Sequence, residues 1–466
     1  MKKNKRALFF ILLDYFLSVI AWFLFYTSRK QFIEKSIFEL DIQFYKGIII
    51  IPFFWILTYT LQGTYIEIKR LYRSRIFNLT FTGTLIGVCV LFFIILLDDK
   101  INSYQKYYYS IGLLFIIQFS LILIFRFIYV TVQVIRIQHG KDYFKTLIIG
   151  NSNKINEFYS ELKALKKSTG NLVTGVILLD EISNENVYEF NEIIIGDIQN
   201  IEFIINKENI EDIIIVDNNL HSNELQYLIA KVSGLGINLK IKASDFDIAL
   251  GTIKQNNLFG LLTKEIQFDP MPLWQKSIKR FLDLSISLIS LIILFPFFII
   301  IAIGIKKTSK GPLFFLQERI GINGIPFKII KFRTMYLDSE KNGPQLSSSN
   351  DHRITKFGKL LRKTRIDEFP QFINVIKGEM SLVGPRPERQ FYIDQIALRE
   401  PLFLQLSIVK PGITSWGQVK FGYAESVEQM IQRMRFDLLY LKNRSLALDF
   451  KIMFYTIITI LKAKGK

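Results

Sequence analysis

Apolar residues are massed in four stretches near the start of the chain, residues 7–27, 47–61, 79–97 and 107–130. Three are long enough to cross a hydrocarbon core of roughly 30 Å as helices. The second is short, and predicts either an extension toward Ile68 or a tilted crossing. Basic residues set the orientation. Lys2, Lys3, Lys5 and Arg6 open the chain, and no small-residue cleavage site follows, so the first helix is expected to be retained. Lys69, Arg70, Arg73 and Arg75 follow the second stretch, and Arg136, Lys141 and Lys145 follow the fourth, whereas residues 98–106 carry no such excess. Four crossings with both ends cytoplasmic fit best, although Arg29, Lys30, Lys35 and Lys46 in the first loop run against the pattern.

From residue 145 to 263 the period changes. Short β-rich runs at 145–149, 172–179, 193–195, 212–216 and 237–241 alternate with polar, helix-compatible segments such as 153–167 and 222–233. Such alternation predicts parallel strands joined by crossover helices. The first strand leads into Gly150-Asn-Ser-Asn-Lys-Ile, which lacks two of the three glycines of a dinucleotide fingerprint, so a structural or regulatory domain is the stronger expectation.

A fifth apolar segment, residues 281–305, has basic residues on both flanks: Lys276, Lys279 and Arg280 before it, Lys306, Lys307 and Lys310 after it. Pro296 near its middle removes a backbone hydrogen bond and clashes with the preceding turn. A re-entrant helix that bends at Pro296 and returns to the same face satisfies both observations; a kinked spanning helix is the alternative. Residues 446–461 mix apolar positions with Asp449 and Lys451, and predict a helix lying at the membrane surface.

Composition narrows the function. The 466 residues are 50% hydrophobic and carry a net charge of +18, which suits an anionic membrane surface or phosphate-bearing substrates. No nucleic-acid-binding motif is present, and the basic residues flank apolar segments instead of forming a stripe, so no nucleic-acid partner is expected. One cysteine, Cys89, excludes a disulfide scaffold and reads as a small apolar filler in the third helix; His139, His221 and His352 are too scattered for a histidine metal centre.

The chemistry is concentrated between residues 311 and 423. In order come Gly311-Pro-Leu-Phe-Phe-Leu-Gln-Glu-Arg-Ile-Gly321, Lys331-Phe-Arg-Thr-Met335, Leu360-Leu-Arg-Lys-Thr-Arg-Ile-Asp-Glu-Phe-Pro-Gln371, Val383-Gly-Pro-Arg-Pro387 and Lys410-Pro-Gly-Ile-Thr-Ser-Trp-Gly-Gln-Val419. One carboxylate pair, Asp367-Glu368, sits among Arg353, Lys356, Lys359, Arg362, Lys363 and Arg365. Phosphoryl transfer needs cations around the phosphate oxygens, and a divalent ion held by one or two carboxylates. A carboxylate can itself be the nucleophile. Thr364-x-x-Asp367 has the spacing of a helix cap. Pro385 and Pro387 present Arg386 on a stiff backbone, as bidentate phosphate recognition requires. Ion pairing on a solvated helix is the bland alternative for Asp367-Glu368; the neighbouring rigid turns weigh against it.

Together these motifs make residues 276–466 resemble the catalytic unit of the bacterial polyprenyl-phosphate sugar-phosphate transferases, the monotopic phosphoglycosyl transferases; the whole chain resembles their long form. The resemblance implies an α plus α/β membrane protein: a four-helix transmembrane bundle (1–140), a Rossmann-like parallel α/β domain (141–265) and a carboxyl-terminal α/β catalytic domain (266–466) with a re-entrant membrane helix at 281–305. It implies transfer of a sugar-1-phosphate from a UDP-sugar to undecaprenyl phosphate with loss of UMP, at the cytoplasmic face of the bacterial inner membrane. That reaction initiates exopolysaccharide, capsule or O-antigen assembly. Asp367 matches the nucleophile, and Glu368 its partner; the two are the expected Mg²⁺ site. Lys331, Arg333, Arg362 and Arg386 match positions around the phosphates, and Arg319 belongs to a QxRxG element. Three departures stand out: Phe295-Pro296 where Ser-Pro is common, Arg365 where Ser is common, and Lys420-Phe-Gly-Tyr423 in place of a Gly-Arg run. A membrane sensor with a dead catalytic unit and a polyprenyl-sugar transporter are the competing classes. The sugar and the oligomeric state, homo-oligomer included, stay open.

Overall fold

The computed structural model describes residues 2–35, 41–96, 104–165, 167–179, 196–216, 223–233, 235–244, 247, 262–336 and 351–461. The chain forms two compact units, Met1–Tyr143 with Lys166–Gly170, and Phe144–Leu165 with Asn171–Lys466.

The first unit is built on four helices: α1 (Lys2–Ser28), α2 (Ile42–Leu61), α3 (Arg73–Leu91) and α4 (Tyr104–Gln138). The short second stretch gains its length at the opposite end from the one expected. Asp41 accepts the N–H of Phe44 at 2.8 Å, and this cap starts α2 five residues before the apolar run. The helix then runs through Pro52 and stops at Leu61. Inside the unit Arg126 donates to both carboxylate oxygens of Asp14, at 3.1 and 2.7 Å, and to Thr80 Oγ1 at 3.0 Å. Tyr65 donates its hydroxyl to the same carboxylate, and the guanidinium lies 4.1 Å from the centroid of the Tyr59 ring. Charges so enclosed persist because each is hydrogen-bonded as well as paired. Cys89 lies on the exposed face of α3 and fills no core gap.

The second unit opens with a five-stranded sheet of order β2-β1-β3-β4-β5. Its strands are β1 (Phe144–Gly150), β2 (Asn171–Leu178), β3 (Asp212–Ile215), β4 (Asn238–Lys242) and β5 (Thr263–Glu265). The first four are parallel, as the alternation predicts, and β5 adds an antiparallel edge. Helices α5 (Ser152–Ala164), α6 (Ile201–Glu208) and α7 (Asn223–Ser233) supply connections, and the sheet buries Leu147, Ile149, Ile213 and Ile215 in one cluster and Ile148 and Ile214 in another. The run at 193–195 and His221 lie outside the described residues.

Helix α8 (Leu273–Thr308) follows. It is 36 residues long and carries Pro296, the expected point of bending, inside it. Both of its ends are fastened within the same α/β unit. Near the start, Lys279 donates to Asp449 at 2.7 Å and to the carbonyl of Val383 at 2.9 Å, while Arg280 donates to the carbonyls of Val375 and Ile376. At the finish, Ile301 and Ile305 pack with Phe332 and Leu361. Between them the helix exposes Phe281, Ile292, Phe295 and Ile300, each at least 63% accessible, so much of its apolar surface is left open by the described residues.

The remaining elements are the antiparallel hairpin β6 (Phe314–Ile320) and β7 (Pro326–Phe332), helices α9 (Lys356–Lys363) and α10 (Gln371–Lys377), strand β8 (Ser381–Val383), α11 (Gln390–Ala397), β9 (Gly412–Thr414), α12 (Trp416–Lys420), α13 (Val427–Lys442) and α14 (Leu446–Leu461). Strands β8 and β9 pair in parallel, and their ends meet at two glycines. A Cβ on Gly384 would lie 2.3 Å from the carbonyl oxygen of Lys410, and one on Gly412 would lie 2.1 Å from the nitrogen of Gly384. α14 exposes Phe450, Phe454 and Ile457 and turns Asp449 inward. Among the described residues five helices, α1 to α4 and α8, are long and apolar enough to cross a membrane, and the chain reads as a membrane protein with a mixed α/β part.

Candidate active site

The Asp367-Glu368 pair owes its position to a broken helix. Thr355 caps α9 by accepting the N–H of Gly358 at 2.9 Å, and the helix brings Arg362 into its last turn. Thr364 does not cap a helix start, as its spacing had suggested: its hydroxyl donates back to the carbonyls of Leu360 and Leu361, closing α9. Arg365 then adopts φ +57°, a left-handed conformation that a side chain with a Cβ takes at a cost, and a single 3₁₀ turn, Ile366–Glu368, follows. The reversal turns both carboxylates into the protein, where they are 9% and 6% exposed. A solvated helical ion-pair array does not describe them.

Both carboxylates line one open cavity, together with Arg319, Lys331, Arg362 and Arg386. Lys331, on β7, donates to Glu368 Oε1 at 2.7 Å. Arg386, in the Pro385-Arg-Pro387 turn, has a guanidinium nitrogen 3.6 Å from the same oxygen. Arg362 is steadied by donation from Nε to Thr334 Oγ1 at 2.9 Å. Arg319 donates to the carbonyl of Pro387 and to Glu388, both at 3.2 Å, and so braces the turn that carries Arg386. Arg333 is placed elsewhere. Its guanidinium donates to the carbonyls of Ser309 and Lys310 at 2.8 and 3.0 Å, fastening the two residues that follow α8. Alternation would put Lys331 and Arg333 on one face, but β7 ends at Phe332, so Arg333 lies beyond the strand and is free of its pleat.

The two acids differ in proton affinity. Burial pushes Asp367 up to about 6, the adjacent Glu368 charge pushes the same way, and Lys331, Arg362 and Arg386 oppose it. Burial would raise Glu368 too, but Lys331 and Arg386 outweigh it and hold that carboxyl well below the usual range. Neighbouring groups whose environments drive them apart in this way suit different chemical roles. Glu368 is a fixed anion matched to two cations; Asp367 keeps a more basic oxygen.

Among the described residues no cluster of three or more His, Cys, Asp or Glu side chains could hold a metal. Two neighbouring carboxylates fit the other mode, in which Mg²⁺ is shared between one or two protein oxygens and substrate phosphates. His139 contacts the Ile135 carbonyl at the end of α4, and His352 is exposed.

Several cavity residues lie outside the quoted motifs, among them Glu388, Arg389, Tyr392 and Arg433, while Tyr423 had stood out only as the end of the Lys420-Phe-Gly-Tyr423 departure. Arg433, on α13, is paired with Glu388, whose other oxygen takes Arg319. Arg389 and Tyr423 also line the cavity. Glu388 and Arg389 extend the Pro385-Arg-Pro387 run, which was a usable signal; Arg433 arrives by tertiary packing, which leaves no mark at its own position.

A membrane-anchored α/β unit with a carboxylate pair in a cation-lined cavity defines a class of phosphate-handling protein. The model of the family described as bacterial sugar transferase matches residues 274–463. Over 218 residues, 47% of this chain and 50% of the relative, the sequence is 41% identical to the UDP-N-acetylgalactosamine-undecaprenyl-phosphate N-acetylgalactosaminephosphotransferase of Aeromonas hydrophila. It is 41% identical to the UDP-glucose:undecaprenyl-phosphate glucose-1-phosphate transferase of Klebsiella pneumoniae over 38% of this chain and 39% of that one. With the protein of the same description from Caulobacter vibrioides it shares 38% identity over 39% of this chain and 69% of the relative. The chain belongs to the bacterial sugar transferase family. It spans half or less of the length of the first two relatives.

Proposed function

We propose that this protein transfers a sugar-1-phosphate from a UDP-sugar to undecaprenyl phosphate, releasing UMP, through a covalent intermediate on Asp367. The observation that carries the reading is the asymmetry of the buried pair: Glu368 is bonded to Lys331 and approached by Arg386, while Asp367 is driven up to about 6 beside it. A nucleophilic carboxylate must be ionised at working pH yet basic enough to attack, and Asp367 meets both conditions.

In the first step a carboxylate oxygen of Asp367 attacks the sugar-bearing phosphorus. An Asp–O–P bond forms, the bridging P–O bond of the diphosphate breaks, and UMP departs with the electron pair. In the second step a phosphate oxygen of undecaprenyl phosphate attacks the same phosphorus, and the bond to Asp367 breaks, giving a lipid diphosphate sugar. Lys331, Arg362 and Arg386 face the oxygens on which charge is spread. Mg²⁺, held by Glu368 and Asp367 together with the diphosphate, would supply further neutralisation of that charge.

The membrane arrangement follows the same reading. We place the carboxyl-terminal unit at the cytoplasmic face of the bacterial inner membrane, with α8 entering and leaving one leaflet and α14 lying at the surface. Support comes from the basic flanks of α8 and from the attachment of both its ends to one α/β unit. The reaction would open the assembly of an exopolysaccharide, capsule or O-antigen chain. The test is UMP release by the purified full chain with a panel of UDP-sugars, undecaprenyl phosphate and Mg²⁺. Asp367→Asn should abolish release and leave donor affinity within about three-fold; Asp367→Asn releasing UMP at the parent rate would remove the nucleophile from the scheme.

A further inference from the structure

Tyr423 lies among the cavity residues with no partner in the chemistry described so far. Two guanidinium groups lie over its ring: that of Arg365 at 4.9 Å from the centroid and that of Arg386 at 5.8 Å. Arg365 is the residue in the left-handed conformation one step before the 3₁₀ turn of Asp367 and Glu368, and its Nε is buried without a hydrogen-bond partner among the described residues. A strained backbone persists only where surrounding contacts over-determine it. The main chain is held by hydrogen bonds from Arg365 N to Arg362 O and from Glu368 N to Arg365 O, and the side chain meets the aromatic ring, whose negative quadrupole attracts both cations and offsets their mutual repulsion.

We infer that Tyr423 is a positioning residue whose ring ties the Arg365 guanidinium, behind the cavity wall, to that of Arg386, so that Arg386 is held facing a diphosphate bound over the acidic pair. The inference rests on the sugar-phosphate transfer reading for the identity of that ligand. Arg386 also approaches Glu368 directly, and Lys331 occupies the same Glu368 oxygen, so three cations converge there from the turn before Asp367, from β7 and from the Pro385-Arg-Pro387 segment. Without the ring, two of these three lose a common support and spread into solvent. The tyrosine hydroxyl plays no part in this; the π face does.

Equilibrium binding of inorganic diphosphate and of UDP-glucose to the full chain in lipid nanodiscs tests the role. Tyr423→Phe keeps the ring and should bind both probes within about two-fold of the parent, whereas Tyr423→Leu should weaken both about ten-fold. Arg365→Met should fall to a similar level. Because the two residues act through one contact, the Tyr423→Leu/Arg365→Met double variant should lose about ten- to thirty-fold, not the hundred-fold of independent effects. A general loosening of the fold would not give rescue by Phe together with this coupling. Parent-like binding by Tyr423→Leu, an equal loss in Tyr423→Phe, or full multiplicativity in the double variant would each overturn the inference. If the leucine variant does not fold, Tyr423→Met, which fills similar space without a π face, takes its place with the same expected loss. A parent chain that binds diphosphate but releases no UMP would end the transfer reading alone, with the role of Tyr423 still decided by the diphosphate series; a parent chain that binds no diphosphate ends the inference.

Discussion

The proton affinity of Asp367 sets a pH dependence that an ordinary aspartate would not show. If the attacking form is the carboxylate and its midpoint of about 6 persists once donor and Mg²⁺ are bound, roughly nine-tenths of the enzyme is competent at pH 7 and about one-tenth at pH 5. Single-turnover UMP release should therefore fall about ten-fold between those values, whereas an aspartate at its usual value would lose less than about a tenth of its activity. The sign is fixed: the shift is upward, so competence is lost as pH falls through about 6 and is complete above about 7. Two variants should move the acid limb in opposite directions. Lys331→Met removes a cation that lowers the Asp367 value, so its limb moves above 6 and activity at pH 7 recovers in part at pH 8. Glu368→Gln removes the like charge that raises it, so the limb of its residual activity moves below 6. The assay is rapid-quench detection of UMP with saturating donor from pH 4.5 to 8.5. A parent profile flat down to pH 5, or two variants displaced the same way, would refute the electrostatic argument.

Other substitutions test the parts around this centre. Arg333→Leu should retain donor affinity within about two-fold, because its guanidinium is spent on the Ser309 and Lys310 carbonyls after α8, whereas Arg362→Leu, which lines the cavity, should weaken it about ten-fold or more; isothermal titration with UDP-glucose separates them. Gly412→Ala puts a Cβ 2.1 Å from the Gly384 nitrogen and should cost several kcal/mol, about 3 or more, seen as loss of protease-resistant carboxyl-terminal unit. In the first unit Asp14→Ala leaves Arg126 buried without its carboxylate and should destabilise by about 3–5 kcal/mol, while Asp14→Leu with Arg126→Leu should recover much of the loss in a detergent thermal-aggregation assay.

What could be read in advance was whatever the chain writes locally. Apolar runs mark α1, α3 and α4, and β-rich runs separated by polar helices mark the parallel strands, because both depend on periodicity within one segment. The position of α2 was misjudged since its start is set by one capping side chain, Asp41, ahead of the apolar run. Asp367, Glu368, Lys331, Arg362 and Arg386 gather in one cavity from motifs that are individually short and widely spaced. Arg333 differs from Lys331 by two positions and sits in the same motif, yet it leaves the strand and finds carbonyls at the end of α8. Its destination depends on where a helix begun 60 residues earlier comes to an end, and no local pattern encodes that. Arg433 was hidden for the same reason, and Thr364 because its spacing fits a cap that the left-handed Arg365 prevents.

The contact between Gly384 and Gly412 has an evolutionary corollary. With main chain against main chain, neither loop has slack to absorb a change in the other, so the turn bearing Arg386 and the segment opening at Lys410 must diversify as one piece. A change in the position of Arg386 therefore requires a matching change beside Lys410, and neither loop can be re-registered alone.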